Sequence, residues 1–382
     1  MVRFLILPNV VKCLVFKEME LYEILLLSFC SKRVQKSIQQ TFTIGLNKGF
    51  RITCPDKMNP FQDMDEKRLE LIVDHKGNDK KVISWKYVTS LSLIKQFKYP
   101  KGPFILKING IRCKCSVSFH SLSGIPILYF EKDLMKKLPM ELHKHCVEVF
   151  RTTPGLEMIM NLNDSSDLDE SQPIKDLYLH DSYEKVDPRI ADEFFEKANI
   201  QNCFSVVSQK LEGAVSDDSK FWNIPNILIY SHNWVFAHQL VRFTGKNAYF
   251  FTKDYPCVIT QDMNAFLKHW LNGNNTNLEI MMAGGYRGSM DGLFNGIKMR
   301  RWDPRRRPAR YVSNGSLGSV FQFQMFTGST FSNFFDTYFS EFDYLDCRNA
   351  FDIVRESDGW IASVKVEFGI FFMFVWHHSY TK

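Results

Sequence analysis

The chain has 382 residues, 45% hydrophobic and 24% charged, with a net charge of +6 at pH 7. This balance excludes a disordered or collagen-like chain, and so mild a charge does not by itself point to a nucleic-acid binder. Nine cysteines, odd in number and without framework spacing, indicate reduced thiols and an intracellular setting, and 34 phenylalanines place aromatic side chains in the core or on a binding surface.

The first predicted elements are three short helices between Leu7 and about residue 40. Pro8 suits a first helical turn, where its missing N–H costs nothing. Val11, Leu14 and Val15 follow helical spacing, but Val10, Cys13, Phe16 and Met19 are apolar too. The second helix, Leu21 to Phe29, repeats the pattern with Ile24, Leu25, Leu26 and Leu27. Ser31 is placed to cap a third helix with Val34 and Ile38 inside and Lys32, Arg33 and Lys36 outside. A helix that is apolar on several sides must be covered on several sides. Some forty residues cannot do that alone, so the segment needs the rest of the chain or a second protein. The opening "FLIL" after Arg3 suggests a signal peptide. Pro8, Asn9 and Lys12 break that run and no small-residue cleavage site follows, so none is expected. "FGIFFMFVW" near the C-terminus is far short of a membrane span.

Strands are expected next. "RLELIVDH" and "KVISWKYV" are strand-like runs separated by "KGNDK". "FILKING" and "IRCKCSVSF" flank Asn109-Gly110, a strong hairpin signal. "LPMELHKHCVEVF" reads as a helix, and the acidic "NLNDSSDLDESQP" as a linker or exposed loop. From about residue 188, strands alternate with helices. "NILIYS", "NAYFF" and "NLEIMM" are strands, and "WVFAHQLVRF" reads as a helix stopped by Thr244-Gly245. "TQDMNAFLKHWLNG" is a second helix, with Thr260 as its cap, Met263, Phe266, Leu267, Trp270 and Leu271 on one face, and Asn272-Gly273 at its end. Such units suggest either a leucine-rich-repeat-like stack or a plain α/β layer. "FDIVRESDGWIASVKVEF" reads as a hairpin turning at Asp358-Gly359, with Trp360, Ala362, Val364, Val366 and Phe368 on one face. The expected architecture is α+β or α/β. It comprises a three-helix segment over 1–45, a β-rich segment over 46–165, and a strand–helix domain over 188–382 ending in a β-hairpin.

"LPNVVKCLVFKEMELYEILLLSFCSKR" resembles an F-box, with Leu-Pro, an aliphatic helix, a Met and a Leu-Ser-x-Cys-Ser-Lys-Arg run. "SHNWV", "DMNAFLKHWLNGNNTNLE", "GIKMRRWDPRRRPARYV" and "FDIVRESDG" resemble the type-2 F-box-associated domain of the large nematode F-box family. "MELYE" departs from the Asp-Pro common between the first F-box helices. The Ser/Gly/Phe-rich stretch between Tyr311 and Phe351 has no counterpart in the family pattern.

The resemblance implies a non-catalytic adaptor, present in the cytoplasm, the nucleus or both. It would hold a Skp-type adaptor of a cullin–RING ubiquitin ligase through the F-box, and a protein substrate through the C-terminal domain. Leu7, Pro8, Val11, Leu14, Val15, Ile24, Leu27 and Ser28 fall on the F-box pattern, and the second apolar face of the helices would be covered by the adaptor. The competing readings are a repeat-type interaction protein whose N-terminal helices complete its own core, and an RNA- or DNA-binding protein. No membrane partner is implied.

Two clusters bear on sites. Cys113, Cys115, His143, His145 and Cys146 have the chemistry of zinc ligands, but their spacing matches no standard zinc signature. They read instead as strand alternation and a helix core, with no metal or cofactor. "RRWDPRRRPAR" puts six arginines in eleven residues. Arg305, Arg306 and Arg307 are candidates for substrate or phosphate recognition. The alternative is a Pro-braced loop whose arginines pair with nearby acids or stay solvated. The Gly-rich "AGGYRGSMDGLFNG" fits neither a P-loop nor a dinucleotide fingerprint and reads as a loop, and no catalytic motif is present.

Overall fold

The computed structural model describes residues 6–41, 50–53, 68–75, 78–88, 101–119, 124, 126–131, 134, 138–151, 156–160, 162, 173–179, 185–207, 210–230, 234–251, 259–311, 345–367 and 369–377. The linker read over "NLNDSSDLDESQP" lies almost wholly outside these residues, as do most of the Ser/Gly/Phe-rich stretch, the first three residues of "SHNWV" and Phe368. The protein is a mixed α+β chain that divides into two compact units, Met1–Ser182 with Lys197–Gln201, and Tyr183–Glu196 with Asn202–Lys382. Among the described residues no helix is long and apolar enough to cross a membrane.

The first unit opens with α1 (Asn9–Glu18), α2 (Leu21–Cys30) and α3 (Lys32–Thr41). Pro8 is the cap residue rather than the first helical one, and its carbonyl accepts the Lys12 amide at 3.0 Å. Glu20 and Glu23 form a reciprocal capping box at the start of α2, which satisfies two of the free amides there. The Ser31 hydroxyl accepts the Val34 amide at 3.2 Å, the expected cap of α3. Strands β1 (Phe50–Thr53), β2 (Arg68–His75), β3 (Asn78–Val88), β4 (Lys101–Ile108), β5 (Ile111–Phe119) and β6 (Pro126–Glu131) follow. Then come α4 (Leu138–Phe150), β7 (Leu156–Met160) and β8 (Pro173–Leu179).

Within this unit the strands lie in the order β8-β7-β1-β2-β3-β6-β5-β4. The β7–β8, β1–β7 and β3–β6 pairs are parallel and the others antiparallel. The β4–β5 hairpin turns at Asn109 and Gly110, whose φ values of 45° and 91° are the left-handed pair a two-residue turn requires. The core gathers where α2 meets α3, α4 and β4, around Ile24, Leu25, Phe29, Ile38, Leu142, Cys146 and Val149.

The second unit begins with α5 (Pro188–Lys197) and β9 (Asn199–Val207), and continues through β10 (Asn226–Tyr230) and β11 (Asn247–Phe251) to α6 (Thr260–Leu271) and β12 (Ile280–Gly284). It ends with α7 (Met290–Leu293), β13 (Met299–Arg301), β14 (Arg310–Tyr311), β15 (Leu345–Asp346), β16 (Phe351–Val354), β17 (Ile361–Glu367) and β18 (Ile370–Trp376). Strands run β13-β16-β17-β18-β12-β11-β10-β9, and β14 pairs separately with β15. β9 to β12 are parallel, and β12, β18, β17, β16 and β13 alternate in direction. Parallel strands are covered on both faces, and the described side chains of β11 and β12 are all buried. β18 is likewise buried along its whole length.

Three local expectations change. "WVFAHQLVRF" forms only a 3-10 turn over Ala237–Arg242, in the connection from β10 to parallel β11. Gln239 fixes that turn: its Oε1 accepts the Phe236 amide at 2.9 Å and its Nε2 donates to the Val215 carbonyl at 2.9 Å. Thr260 is the first residue of α6 rather than its cap, and its hydroxyl accepts from the Tyr286 hydroxyl at 3.3 Å. The Gly-rich stretch contains the single turn α7, capped by the Ser289 hydroxyl accepting the Gly292 amide at 3.1 Å.

Candidate functional site

Two regions singled out by sequence are sorted by the structure into buried and exposed parts. In α1, Phe16 is fully buried and Lys12 nearly so. On the other side Val10, Val11, Leu14 and Val15 are 73%, 39%, 58% and 37% exposed, and Ile6 before the helix is 76% exposed. Their i, i+1, i+4, i+5 spacing makes one continuous apolar stripe. Leu7 is half-buried and Pro8 exposed.

The residues predicted on α2 lie elsewhere. Ile24 is wholly buried, Ser28 is 2% exposed and Leu27 half-buried. The Ser28 hydroxyl sits 2.7 Å from His145 Nε2 and donates to the Leu25 carbonyl at 2.6 Å, so its proton goes to Leu25 when the imidazole nitrogen carries its own. The Phe29 ring stacks on His145 with centroids 4.6 Å apart. Of the eight residues on the predicted pattern, Val11, Leu14 and Val15 therefore share an open apolar face, Ile24 is in the core, and Ser28 meets His145 of α4.

The five candidate metal ligands are all buried. No group of three or more His, Cys, Asp or Glu among the described residues is arranged to hold a metal ion. Burial lowers both His143 and His145 to about 4, with the nearby Glu148 carboxylate partly opposing this at His145. It raises the Cys146 thiol to about 12. Burial, then the neighbouring Cys113, raise the Cys115 thiol to about 12. Burial thus favours the neutral form of each of these groups.

The arginine segment is split in the same way. Arg307 is 2% exposed, and its Nε and Nη2 donate to both oxygens of Asp352 at 2.7–3.0 Å. Nη1 donates to the Pro308 carbonyl at 2.9 Å, Nη2 donates also to the Cys347 carbonyl at 3.0 Å, and the guanidinium lies over the Trp376 ring at 5.1 Å. Ser363 Oγ donates to Asp352 at 2.9 Å and accepts from Trp376 Nε1 at 2.8 Å, which completes the network. Trp302 Nε1 donates to the Arg307 carbonyl at 3.3 Å, and Asp303 turns the loop by accepting the Arg305 amide at 2.9 Å. Arg307 is thus a clamp for the loop. Arg305 is exposed and Arg306 half-buried, and neither pairs with an acid among the described residues.

The "FDIVRESDG" segment holds a second clamp. Arg355 is fully buried between the rings of Trp270 and Trp360, at 4.6 and 4.8 Å, and forks onto Asp358 at 2.6–3.1 Å. Burial alone would raise the Asp358 carboxyl, but hydrogen bonds from Arg355 and the Trp360 amide hold it below the ordinary value.

Sequence reading missed the buried amide ladder across the parallel strands. Asn226 Nδ2 donates to the carbonyl and side-chain oxygen of Asn202, each at 3.0 Å, and Asn247 Nδ2 donates to Asn226 Oδ1 at 2.8 Å. Asn226 and Asn247 stand opposite each other in register. The available signal was an Asn opening both "NILIY" and "NAYFF".

A family model described as F-box associated matches residues 221–283, from the aromatic turn before β10 to β12. An uncharacterized protein of Caenorhabditis elegans is 20% identical over 317 residues, which are 80% of this chain and 66% of the relative. The aligned part is thus just under two thirds of that relative's length. No solved structure matches the chain.

Proposed function

We propose that the chain is a non-catalytic substrate-recognition adaptor. The N-terminal helices act as an F-box that binds a Skp-type adaptor and, through it, a cullin–RING ubiquitin ligase. The strand–helix domain over 188–382 holds a protein substrate inside the cell, in the cytoplasm or nucleus. The F-box-associated match at 221–283 supports the second half of this reading. The single observation behind the first half is the open stripe of Val10, Val11, Leu14 and Val15 on a helix whose other side is already packed. Apolar side chains contiguous on one exposed face mark an interaction surface.

On this reading the adaptor contact falls on α1 with Leu7 and Pro8, and takes in half-buried Leu27 of α2. Ile24 and Ser28 support it from inside. The parallel ladder β9–β12 with its asparagines favours a leucine-rich-repeat-like reading of the recognition domain. The exposure of Arg305 and partial exposure of Arg306 support a part for these two members of the arginine loop in meeting a substrate.

The test is co-purification with a Skp-type adaptor shown competent on another F-box protein. Wild-type protein should bind. Val11→Ala with Leu14→Ala should remove two buried contacts, each worth about 1–3 kcal/mol, or roughly a five- to hundredfold loss of affinity per site. Thermal unfolding should be unchanged. No binding by the wild type would remove the ubiquitin-ligase reading and leave that of an interaction protein.

A further inference from the structure

The outer strand β13 pairs with β16 on one side and, among the described residues, has no strand on the other. All three of its side chains are exposed, Met299 by 41%. Arg300 stands opposite Asp352 and so shares that face of the sheet, while Met299 and Arg301 stand opposite Ile353 and Phe351 on the other face. Lys298 precedes the strand and Arg305 follows it in the loop, both exposed. None of Lys298, Arg300, Arg301, Arg305 and Arg306 makes a side-chain hydrogen bond or ion pair with a described residue. Arg307 of the same segment, by contrast, is buried and paired with Asp352.

We propose that the β13 edge binds a short acidic segment of a protein partner, added in extended form as a further strand. This deepens the recognition role proposed above and rests on it. An open edge offers unpaired N–H and C=O groups that a peptide backbone can complete, and alternate side chains then set specificity. Here the added strand would lie against Arg300 on one face and Met299 and Arg301 on the other. Opposite charges across a strand pair are favourable and like charges unfavourable. The cations therefore select an acidic strand and also repel the edge of a second copy of this chain, so one feature attracts the partner and rejects self-association.

The test uses the full-length chain and a fluorescein-labelled ten-residue peptide alternating Glu and Val, read by fluorescence anisotropy. Saturable binding is expected, together with a loss of about tenfold or more in Arg300→Glu/Arg301→Glu, and little binding of a Lys-for-Glu peptide. A copy of the Glu peptide N-methylated at alternate residues keeps its charge but loses ladder hydrogen bonds, and it should also bind about tenfold more weakly. If the double variant melts below the wild type, Lys298→Glu/Arg305→Glu supplies the same readout.

Equal binding of the N-methylated peptide would overturn strand addition. Equal binding by both charge-reversed variants, or none by the wild type, would overturn the site. Tighter binding of a mixed-sequence ten-nucleotide RNA would replace it with a nucleic-acid surface. Adaptor pull-down is scored separately, so loss of the ligase reading leaves this result standing, and the reverse.

Discussion

Around α2 and α4 of the first unit the buried polar groups are uncharged: Ser28 against His145, and His143 on the same helix. At the C-terminal sheet of the second unit they are charged: Arg307 forked onto Asp352, and Arg355 onto Asp358. A neutral imidazole costs little to bury as long as it stays neutral. A buried ion pair has a large desolvation cost, offset only by close geometry and further hydrogen bonds, as where Arg307 forks onto Asp352 and also reaches the Pro308 and Cys347 carbonyls. The two regions should therefore fail under different stresses.

The largest expected difference is the response to acid. His143 and His145 are lowered from 6.5 to about 4 by burial. A group whose folded value is depressed contributes stability that is full above the unfolded value and lost as pH falls through the folded one. The first unit should thus weaken from pH 6.5 down to about 4, by on the order of 3 kcal/mol for each histidine. Asp358, also lowered, keeps its contribution until pH falls below the ordinary carboxylate range. Hydrogen-exchange protection over α2 and α4, taken relative to the intrinsic rate at each pH, should fall by pH 4.5. Tryptophan emission, which comes from six of seven tryptophans in the second unit, should hold. Simultaneous loss of both signals would break the contrast.

Next is removal of one partner from the ion pair. Arg307→Ala strands a buried carboxylate and should cost about 3–5 kcal/mol in denaturant unfolding followed by tryptophan emission. Arg305→Ala, two residues earlier but in solvent, should stay within about 0.5 kcal/mol. Similar costs for the two would remove the distinction between clamp and surface.

In the first unit the matched pair is Ile24→Ala, expected to cost about 2–5 kcal/mol by opening a cavity, and Leu14→Ala, expected to cost under about 0.5 kcal/mol. Adaptor binding should show the opposite emphasis, with Leu14 the direct contact. Among the buried groups the smallest effect is at the amide ladder. Asn247→Ala removes the donor to Asn226 Oδ1 and should cost about 1–3 kcal/mol, visible as a shift in the urea midpoint at constant slope.

Much of the local structure could be read from the residues. The Asn109-Gly110 hairpin, the helix at Leu138–Phe150 and the helix at Thr260–Leu271 appear where pattern and turn chemistry placed them. Gly273, with φ of 89°, follows α6 at the expected stop. These signals are local, carried by periodicity and by backbone angles that few residues tolerate. The misread helix before β11 shows the limit, because its turn is held by Gln239 donating to the Val215 carbonyl, 24 residues away in the chain. Candidate sites were legible as segments rather than as residues.

The sequence by itself determined that residues 7–28 carry more apolar surface than their helices can hide, and that residues 300–310 carry more charge than a turn needs. Only the tertiary structure decided which members of each segment face inward. Val11 and Leu14 are as apolar as Ile24, and Arg305 is as basic as Arg307. What separates them is whether α4 with its histidine, or β16 with its aspartate, arrives on that side. Those partners lie about 120 and 45 residues away in the chain for Ser28–His145 and Arg307–Asp352, a separation that no local pattern encodes.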